Sequence, residues 1–242
     1  MTALERVLPS VDEARAQLVH LHRELVRYGL VAWTAGNVSA RAAGPDGDVM
    51  VIKASGVSYD ELGPDAMIVC DLDGRRLRGD LVPSSDTAAH AYVYRNRPDL
   101  GGVVHTHSPY ACAWAARREP IPCVLTAMAD EFGGPIPVGP FALIGDDSIG
   151  RGVVSTLARH RSPAVLMANH GVFAVGPDAR AAVKAAVMCE DVARSTHLAR
   201  QLGDPVPIPA DAVDALYERY QNVYGQHPSR PADDDRLHQP GW

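Results

Sequence analysis

Apolar residues recur with two different periods along the chain, and together these periods predict interleaved helices and strands. The helical period is clearest over residues 11–29, where leucines stand three or four residues apart. Ser10 and Glu13 have the spacing of a capping box, which predicts that this helix begins directly after Ser10. Gly29 is a residue type that commonly ends a helix.

Further segments with helical spacing alternate with short apolar runs rich in β-branched residues. The predicted helices cover residues 86–98, 108–118, 147–160, 178–203 and 211–224. The predicted strands cover residues 31–41, 46–56, 67–77, 101–107, 136–139 and 164–176, the last as one strand or a strand pair. In the helix at 108–118, Ser108 is the predicted N-cap and Pro109 the first helical residue. Several strands are joined by short turns, so we expect a mixed or antiparallel sheet covered by helices.

Composition narrows the class of protein. A chain of 242 residues that is 46% hydrophobic and 21% charged is enough for one sizeable core. We therefore expect a single domain over residues 1–226 and a mobile, polar C-terminal tail over residues 227–242. The net charge of −6, with scattered basic residues, argues against nucleic acid or an anionic membrane as a partner.

Targeting signals and cysteine spacing bear on the compartment. No apolar run approaches the roughly 20 residues that span a bilayer, and the N-terminal region lacks the apolar segment of a signal peptide. The cysteines (Cys70, Cys112, Cys123 and Cys189) form no Cys-x-x-Cys pair and lie in apolar contexts. These features predict a cytoplasmic protein with reduced thiols.

The segment "GGVVHTH" places two histidines at the end of a predicted strand. His105 and His107 are two residues apart, so their side chains leave the same face of that strand. His170, in "LMANHG", also follows an apolar run, and Gly171 leaves room beside it. Three histidines with one open position form the usual arrangement of a catalytic zinc site. The alternative is exposed polar histidines, because only strand ends that meet would join His170 to the pair.

Three other segments, "AGNVS", "KASG" and "PSSD", are dense in small hydrogen-bond donors. Glycines allow the backbone to approach a ligand closely, serines supply neutral donors, and a lysine supplies positive charge. These are the components of a phosphate-binding pocket. The candidate residues are Asn37, Lys53, Ser55, Gly56, Ser84 and Ser85. Taken alone, each segment is better explained as a turn, and "PSSD" in particular as the start of a helix.

Together, four segments resemble the class II aldolase/adducin family: "TAGNVSAR", "IKASGVSYDEL", "PSSDTAAHAYVYRNRPDLGGVVHTHSPYACAWA" and "LMANHGVFAVG". The resemblance covers roughly residues 12–226. It implies a three-layer α/β/α fold with a central, mostly antiparallel sheet. It also implies that His105, His107 and His170 bind Zn²⁺, with Mn²⁺ or another divalent ion as the alternative. The six pocket residues would bind the phosphate of a sugar phosphate. The usual assembly is a C4 homotetramer with active sites at the subunit interfaces.

Residues at a few further positions distinguish the epimerases of this family from its aldolases. Asp86 follows the serine pair, where the aldolases usually carry Glu. Thr126 and Asp130, in "TAMADEFGGPIP", match a Thr-x-x-Ala-Asp pattern of the epimerases, and Tyr224 in "VYGQ" matches their terminal Tyr-Gly-Gln. The resemblance therefore implies a sugar-phosphate 4-epimerase that converts L-ribulose 5-phosphate to D-xylulose 5-phosphate.

Two departures keep a class II aldolase as the alternative. The helix before Tyr224 lacks the histidine that the epimerases carry, and residues 138–154 are closer to the aldolases. Such an aldolase would cleave a ketose 1-phosphate to dihydroxyacetone phosphate and an aldehyde. A decarboxylase or dehydratase of related chemistry is a further alternative. So is a non-catalytic, adducin-like scaffold, against which the intact histidines argue.

Inversion at C4 sets the chemistry that the epimerase needs. The hydrogen on C4 of a 2-ketose is not α to the carbonyl, so deprotonation cannot invert this centre, whereas cleaving and re-forming the C3–C4 bond can. Asp130 and Tyr224 are the candidate acid and base on opposite sides of the hydroxyl, with Tyr224 acting across the subunit interface. Thr126 is a candidate substrate-binding residue. Asp86 would bind the metal or orient one of its ligands. Without the resemblance, Asp86 would be an N-cap, Asp130 a loop residue and Tyr224 a helix-end packing residue.

Overall fold

The computed structural model describes residues 8–223, in which helices and strands alternate much as the apolar pattern predicts. The helices are α1 (Val11–Arg27), α2 (Thr87–Asn96), α3 (Pro109–Arg117), α4 (Thr126–Phe132), α5 (Ser148–Leu157), α6 (Ala179–Leu202) and α7 (Ala210–Asn222). The strands are β1 (Asn37–Gly44), β2 (Gly47–Lys53), β3 (Met67–Cys70), β4 (Arg76–Arg78), β5 (Gly102–Thr106), β6 (Val138–Gly139), β7 (Ala164–Met167) and β8 (Val172–Gly176). Two single-turn 3₁₀ helices, Tyr59–Glu61 and Pro64–Ala66, lie between β2 and β3.

The strands form one sheet in the order β4-β3-β2-β1-β5-β8-β7-β6. Neighbouring strands are antiparallel except β6 and β7, which are parallel. Successive side chains of a strand enter opposite layers, so Val103 packs under α2 and α5, whereas Val104 packs under α1, α3 and α6. The predicted three-layer α/β/α fold with a mostly antiparallel sheet is confirmed.

Helix termini follow the sequence signals in part. Ser10 and Glu13 form the predicted capping box of α1, with both reciprocal hydrogen bonds present. Ser108 stands at the N-cap of α3 as predicted, but its side chain makes no capping hydrogen bond. The segment 164–176 is a strand pair, β7 and β8, joined by a tight turn. The apolar pattern did not predict α4, because seven residues are too few for a helical period to emerge.

Some predictions concern residues that the structure does not describe. Tyr224 and the tail at 227–242 lie outside the described residues, so the role of Tyr224 and the domain boundary at 226 stay predictions.

Within residues 8–223, no helix combines the length and apolar character needed to cross a membrane. The four cysteines are free thiols, three buried and Cys112 partly buried.

Candidate metal and substrate site

Strand pairing brings the three predicted metal ligands to one edge of the sheet. Strand β5 carries His105 and leads into His107, and it pairs with β8 so that Thr106 faces Val172. The turn between β7 and β8, which carries His170, therefore lies beside the pair. One ring nitrogen from each histidine lies within 4.8 Å of the others, so small ring rotations place all three on one ion.

Glycine is required next to His170. A Cβ atom at Gly171 would lie 2.5 Å from the carbonyl oxygen of Thr106 and 3.3 Å from a ring carbon of His105. A larger residue would push the β7–β8 turn away from β5 and separate His170 from the other two histidines. The sequence pair His-Gly is thus explained by close approach of two backbones.

The protonation of the imidazoles fits metal binding. The Nδ1–H of His105 donates to the carbonyl of Val172 at 2.9 Å, which leaves Nε2 as a lone pair directed at the site. Burial lowers the pKa of His105 to about 3 and also lowers the pKa values of His107 and His170. These rings are therefore neutral near pH 7, which is the form that binds a metal.

The surroundings of His170 test whether the three histidines suit a metal ion. Both of its ring nitrogens are buried, and neither has a hydrogen-bond partner among the described residues. Buried polar atoms in folded proteins nearly always have partners, so two unpartnered nitrogens beside two further imidazoles indicate a missing ligand. A divalent ion with nitrogen ligands fits this donor set.

Asp86 lies in the same cleft, although its carboxylate does not belong to the group of converging nitrogens. It stands at the N-cap position of α2, but its side chain makes no capping hydrogen bond. Instead its Oδ2 accepts a hydrogen bond from Nδ2 of Asn37 at 2.7 Å. Burial alone would raise the pKa of the Asp86 carboxyl, but nearby His105 and His90 and the hydrogen bond from Asn37 lower it below its usual value. The arrangement presents an ionised carboxylate to the cleft.

Lys53 lines the same cleft as a buried cation. It is only 2% exposed, and its Nζ donates to the carbonyls of Ala54 at 3.1 Å and Thr34 at 3.4 Å. Burial lowers the pKa of Lys53, and no carboxylate of residues 8–223 offsets that effect. Burying a charge without a counter-ion is costly, so this ammonium indicates an anionic ligand.

The three histidines predicted as metal ligands and all six predicted phosphate-pocket residues line one cleft of about 280 Å³. The lining consists of Thr34, Ala35, Gly36, Asn37, Lys53, Ala54, Ser55, Gly56, Ser84, Ser85, Asp86, His105, His107, Ile144 and His170. Imidazoles and a carboxylate thus face the same space as a lysine and three serines. Such a cleft can hold a small molecule with an anionic group and metal-binding oxygens.

Two residues that the sequence analysis did not single out help to shape this cleft. The hydroxyl of Tyr59 donates to the carbonyl of Ala35 at 2.8 Å and thereby holds the loop before β1. The same ring lies 5.4 Å from Nζ of Lys53. Ile144 comes from the loop between β6 and α5, and its side chain is exposed. One sequence signal could have identified Ile144: it is an apolar residue in a loop, where neither a helical nor a strand period explains it.

Thr126 and Asp130 do not line the histidine cleft of their own chain. Both lie on α4, with Thr126 exposed and Asp130 half-buried. The neighbouring Glu131 lines a separate cavity of about 320 Å³ that reaches Gly176. Gly176 pairs with the first residue of β5, whereas His105 stands near its last, so the two cavities lie at opposite ends of that strand. One carboxylate oxygen of Asp130, Oδ1, is buried without a hydrogen-bond partner among residues 8–223.

Comparison with known proteins identifies relatives over most of the chain. The model of the "Class II Aldolase and Adducin N-terminal domain" family matches residues 16–197. The L-ribulose-5-phosphate 4-epimerase UlaF of Salmonella paratyphi B is 40% identical over 216 residues, which cover 83% of this chain and 91% of that protein. UlaF of Salmonella paratyphi A is 40% identical over 205 residues, or 78% of this chain and 86% of its own.

Solved structures share the fold. An L-fuculose 1-phosphate aldolase superposes with a TM-score of 0.80 at 27% identity, covering 88% of this chain and 98% of its own. An aldolase II superfamily protein from Pseudomonas syringae superposes with a TM-score of 0.77, covering 94% and 91% of the two chains. Its identity is 21%, so it supports the fold alone.

Proposed function

Because the chain belongs to the class II aldolase and adducin family, we propose that it is a metal-dependent sugar-phosphate 4-epimerase that interconverts L-ribulose 5-phosphate and D-xylulose 5-phosphate. One observation carries the proposal: three neutral imidazoles and a buried lysine without a counter-ion share a single cleft. A sugar phosphate carries a phosphate at one end and neighbouring oxygens that bind a metal further along. The relatives that are 40% identical and named as epimerases support this reaction over aldol cleavage.

Each group in the cleft has a proposed task. Lys53, together with Asn37, Ser55, Gly56, Ser84 and Ser85, binds the phosphate through charge and short hydrogen bonds. His105, His107 and His170 would hold the divalent ion, Zn²⁺ in our proposal, with Mn²⁺ as the alternative. When bound, the ion acts as a Lewis acid that stabilises negative charge on substrate oxygens. Asp86, oriented by Asn37, places a carboxylate where it can accept or return a proton.

The proposed acid and base require a second subunit. Asp130 lies away from the cleft of its own chain, so it can act on a substrate only in the cleft of a neighbouring copy. We therefore propose a C4 homotetramer in which one subunit supplies the imidazoles and the phosphate pocket. The next subunit supplies Asp130 and Tyr224 on opposite sides of the C4 hydroxyl and Thr126 as a substrate contact. Closed rings of this kind are common among homo-oligomers.

A class II aldolase is the second candidate, supported by the structural similarity to L-fuculose 1-phosphate aldolase. Both reactions break a carbon–carbon bond of the substrate. They differ in whether the aldehyde is retained and attacked on its other face or released. The residues that close the cleft therefore decide between them.

An assay of the purified protein with Zn²⁺ or Mn²⁺ tests the proposal. Incubation with L-ribulose 5-phosphate should give D-xylulose 5-phosphate, measured with a coupled enzyme that consumes only the product. In parallel, L-fuculose 1-phosphate and L-ribulose 1-phosphate should give no dihydroxyacetone phosphate. No turnover of L-ribulose 5-phosphate, together with rapid cleavage of either ketose 1-phosphate, would replace the epimerase by the aldolase.

A further inference from the structure

Helix α3 follows one part of the chain that carries candidate metal ligands and packs against the other. Its first residue, Pro109, comes two residues after His107. Its last turn lies against the β7–β8 turn that carries His170. The distance between these ligands therefore depends on how firmly both ends of α3 are held.

The N-terminal end of α3 is held by a carboxylate from another helix. Glu190, on α6, accepts the backbone N–H of Tyr110 at its Oε1 and that of Ala111 at its Oε2, both at 2.9 Å. The first amides of a helix have no partner within the helix, and the helix dipole favours a negative charge beside them. Because the Ser108 side chain makes no capping bond, Glu190 takes over the role that the sequence assigned to Ser108.

The C-terminal end of α3 is held by Asn169, the residue before His170. The backbone N–H of Asn169 donates to the carbonyl of Ala115 at 3.0 Å, and its Nδ2 donates to the carbonyl of Ala116 at 3.4 Å. Its Oδ1 accepts from Nε of Arg118 at 2.7 Å. Asn169 has a left-handed backbone with φ of 56°, which asparagine tolerates better than most residues. These bonds fasten the His170 turn to α3.

We infer that Glu190 is a positioning residue for the metal site, acting through α3. It anchors the helix directly after His107, and the far end of that helix fixes His170 through Asn169. Ligands bind an ion more tightly when their mutual geometry is set before binding. The inference rests on the proposed metal site and extends it to a residue that does not line the cleft.

Glu190→Gln is the test variant, because it keeps the side-chain shape but can accept only one of the two amides well. Asp178→Asn is the matched control: Asp178 caps α6 by accepting the N–H of Ala181 at 2.8 Å and does not line the histidine cleft. The Kd for Zn²⁺ is measured by competition with a chromophoric chelator, and the visible spectrum of the Co²⁺ form reports ligand geometry. We expect roughly tenfold weaker Zn²⁺ binding and an altered Co²⁺ spectrum for E190Q. For D178N both should be unchanged, although each variant removes a carboxylate charge from a helix N-terminus.

Two results would overturn the inference. If the wild-type protein binds neither Zn²⁺ nor Co²⁺, the metal site and this inference both fail. If the wild type binds them and E190Q has the same affinity and spectrum, this inference alone fails. Should E190Q not fold, Asn169→Gly decides, since glycine keeps the left-handed backbone and removes both side-chain bonds to α3. Wild-type Zn²⁺ affinity in N169G would then contradict the inference.

Discussion

The Nε2 atoms of His105 and His107 lie 2.9 Å apart, close enough that one ring donates its proton to the other. Nδ1–H of His105 is already committed to the carbonyl of Val172, so Nε2 of His105 is the acceptor and His107 the donor. For both nitrogens to hold an ion, this hydrogen bond would have to break and the proton of His107 would move to its Nδ1. Each ring of the pair therefore carries a single proton and is neutral, which is the form that binds a metal ion.

Removal of either His107 or His170 should abolish stoichiometric metal binding. His107→Gln and His170→Gln leave two imidazoles, which rarely suffice for a Zn²⁺ site. After dialysis against Zn²⁺ and then buffer, we expect about one Zn²⁺ per subunit in the wild type and far less in both variants, measured by elemental analysis. His20→Gln, on the exposed face of α1, is the control and should retain the metal. Full Zn²⁺ content in H170Q would exclude His170 as a ligand.

Replacement of Lys53 should weaken binding of the phosphate group and leave the metal in place. Lys53→Met keeps the length of the buried side chain and removes its charge, and a charge-assisted hydrogen bond contributes about 1.5–3 kcal/mol. We expect the KM for L-ribulose 5-phosphate and the inhibition constant of inorganic phosphate to rise roughly tenfold to a hundredfold. Zn²⁺ content should not change.

The pH dependence gives a second readout for Lys53. Burial lowers its pKa, so the ammonium loses its proton at a lower pH than an ordinary lysine. Phosphate inhibition of the wild type should therefore weaken as the pH rises toward that lowered pKa. Arg78→Met, at an exposed ion pair with Asp12, is the control and should leave phosphate inhibition unchanged. Equal phosphate inhibition of K53M and wild type would remove Lys53 from the anion pocket.

Two inactive variants should restore each other's activity if the site is shared between subunits. Asp130→Asn is expected to abolish turnover while retaining Zn²⁺, and His107→Gln to lose both. In co-expressed mixed tetramers, intact histidines of one subunit meet an intact Asp130 of the next, which gives about a quarter of wild-type activity for random mixing around a C4 ring. No activity in mixed tetramers, with activity present in the wild type, would show that Asp130 acts within its own chain or not at all.

Acid should destabilise the protein through His22, a buried histidine that does not line the cleft. His22 donates from Nδ1 to the carbonyl of Leu18 and accepts the N–H of Val38 at Nε2, and burial lowers its pKa to about 3. Between that value and the unfolded pKa of about 6.5, the unfolded chain binds more protons, so stability falls as the pH is lowered.

The measurement is the free energy of unfolding at pH 7.5 and pH 5, from denaturant titrations. His22 alone should make the wild type about 2 kcal/mol less stable at pH 5 than at pH 7.5, and His22→Gln should remove that part of the pH dependence. His20→Gln, on the exposed face of the same helix, is the control. An unchanged pH dependence in H22Q would contradict this account of His22.

Local signals predicted most elements well. The capping box of Ser10 and Glu13 marked the start of α1, and β-branched runs marked the central strands, because both depend on neighbours within a few residues. The short helix α4 was not predicted, since it has no side-chain cap at its N-terminus and fewer than two full helical turns. Ser108 shows the limit of local capping signals: the carboxylate that caps α3 comes from α6.

The family and the three-layer fold were predicted from sequence segments and are confirmed, and the proposed reaction agrees with the epimerase relatives. The roles of individual site residues stay predictions. The convergence of His105, His107 and His170 supports the metal site, whereas Asp130 lies away from the cleft of its own chain and Tyr224 lies outside the described residues.

The sequence by itself determined which side chains could bind an ion or a phosphate, because residue type and strand periodicity are local properties. Only the tertiary structure decided that the end of β5 lies beside the β7–β8 turn, that Lys53 has no carboxylate partner among residues 8–223, and that Glu190 and Asn169 hold the ends of α3. These relationships join residues far apart in the chain, and sheet register and helix packing fix them rather than any local pattern. The sequence therefore predicts the histidines of "GGVVHTH" as candidate ligands, and the fold places them beside His170.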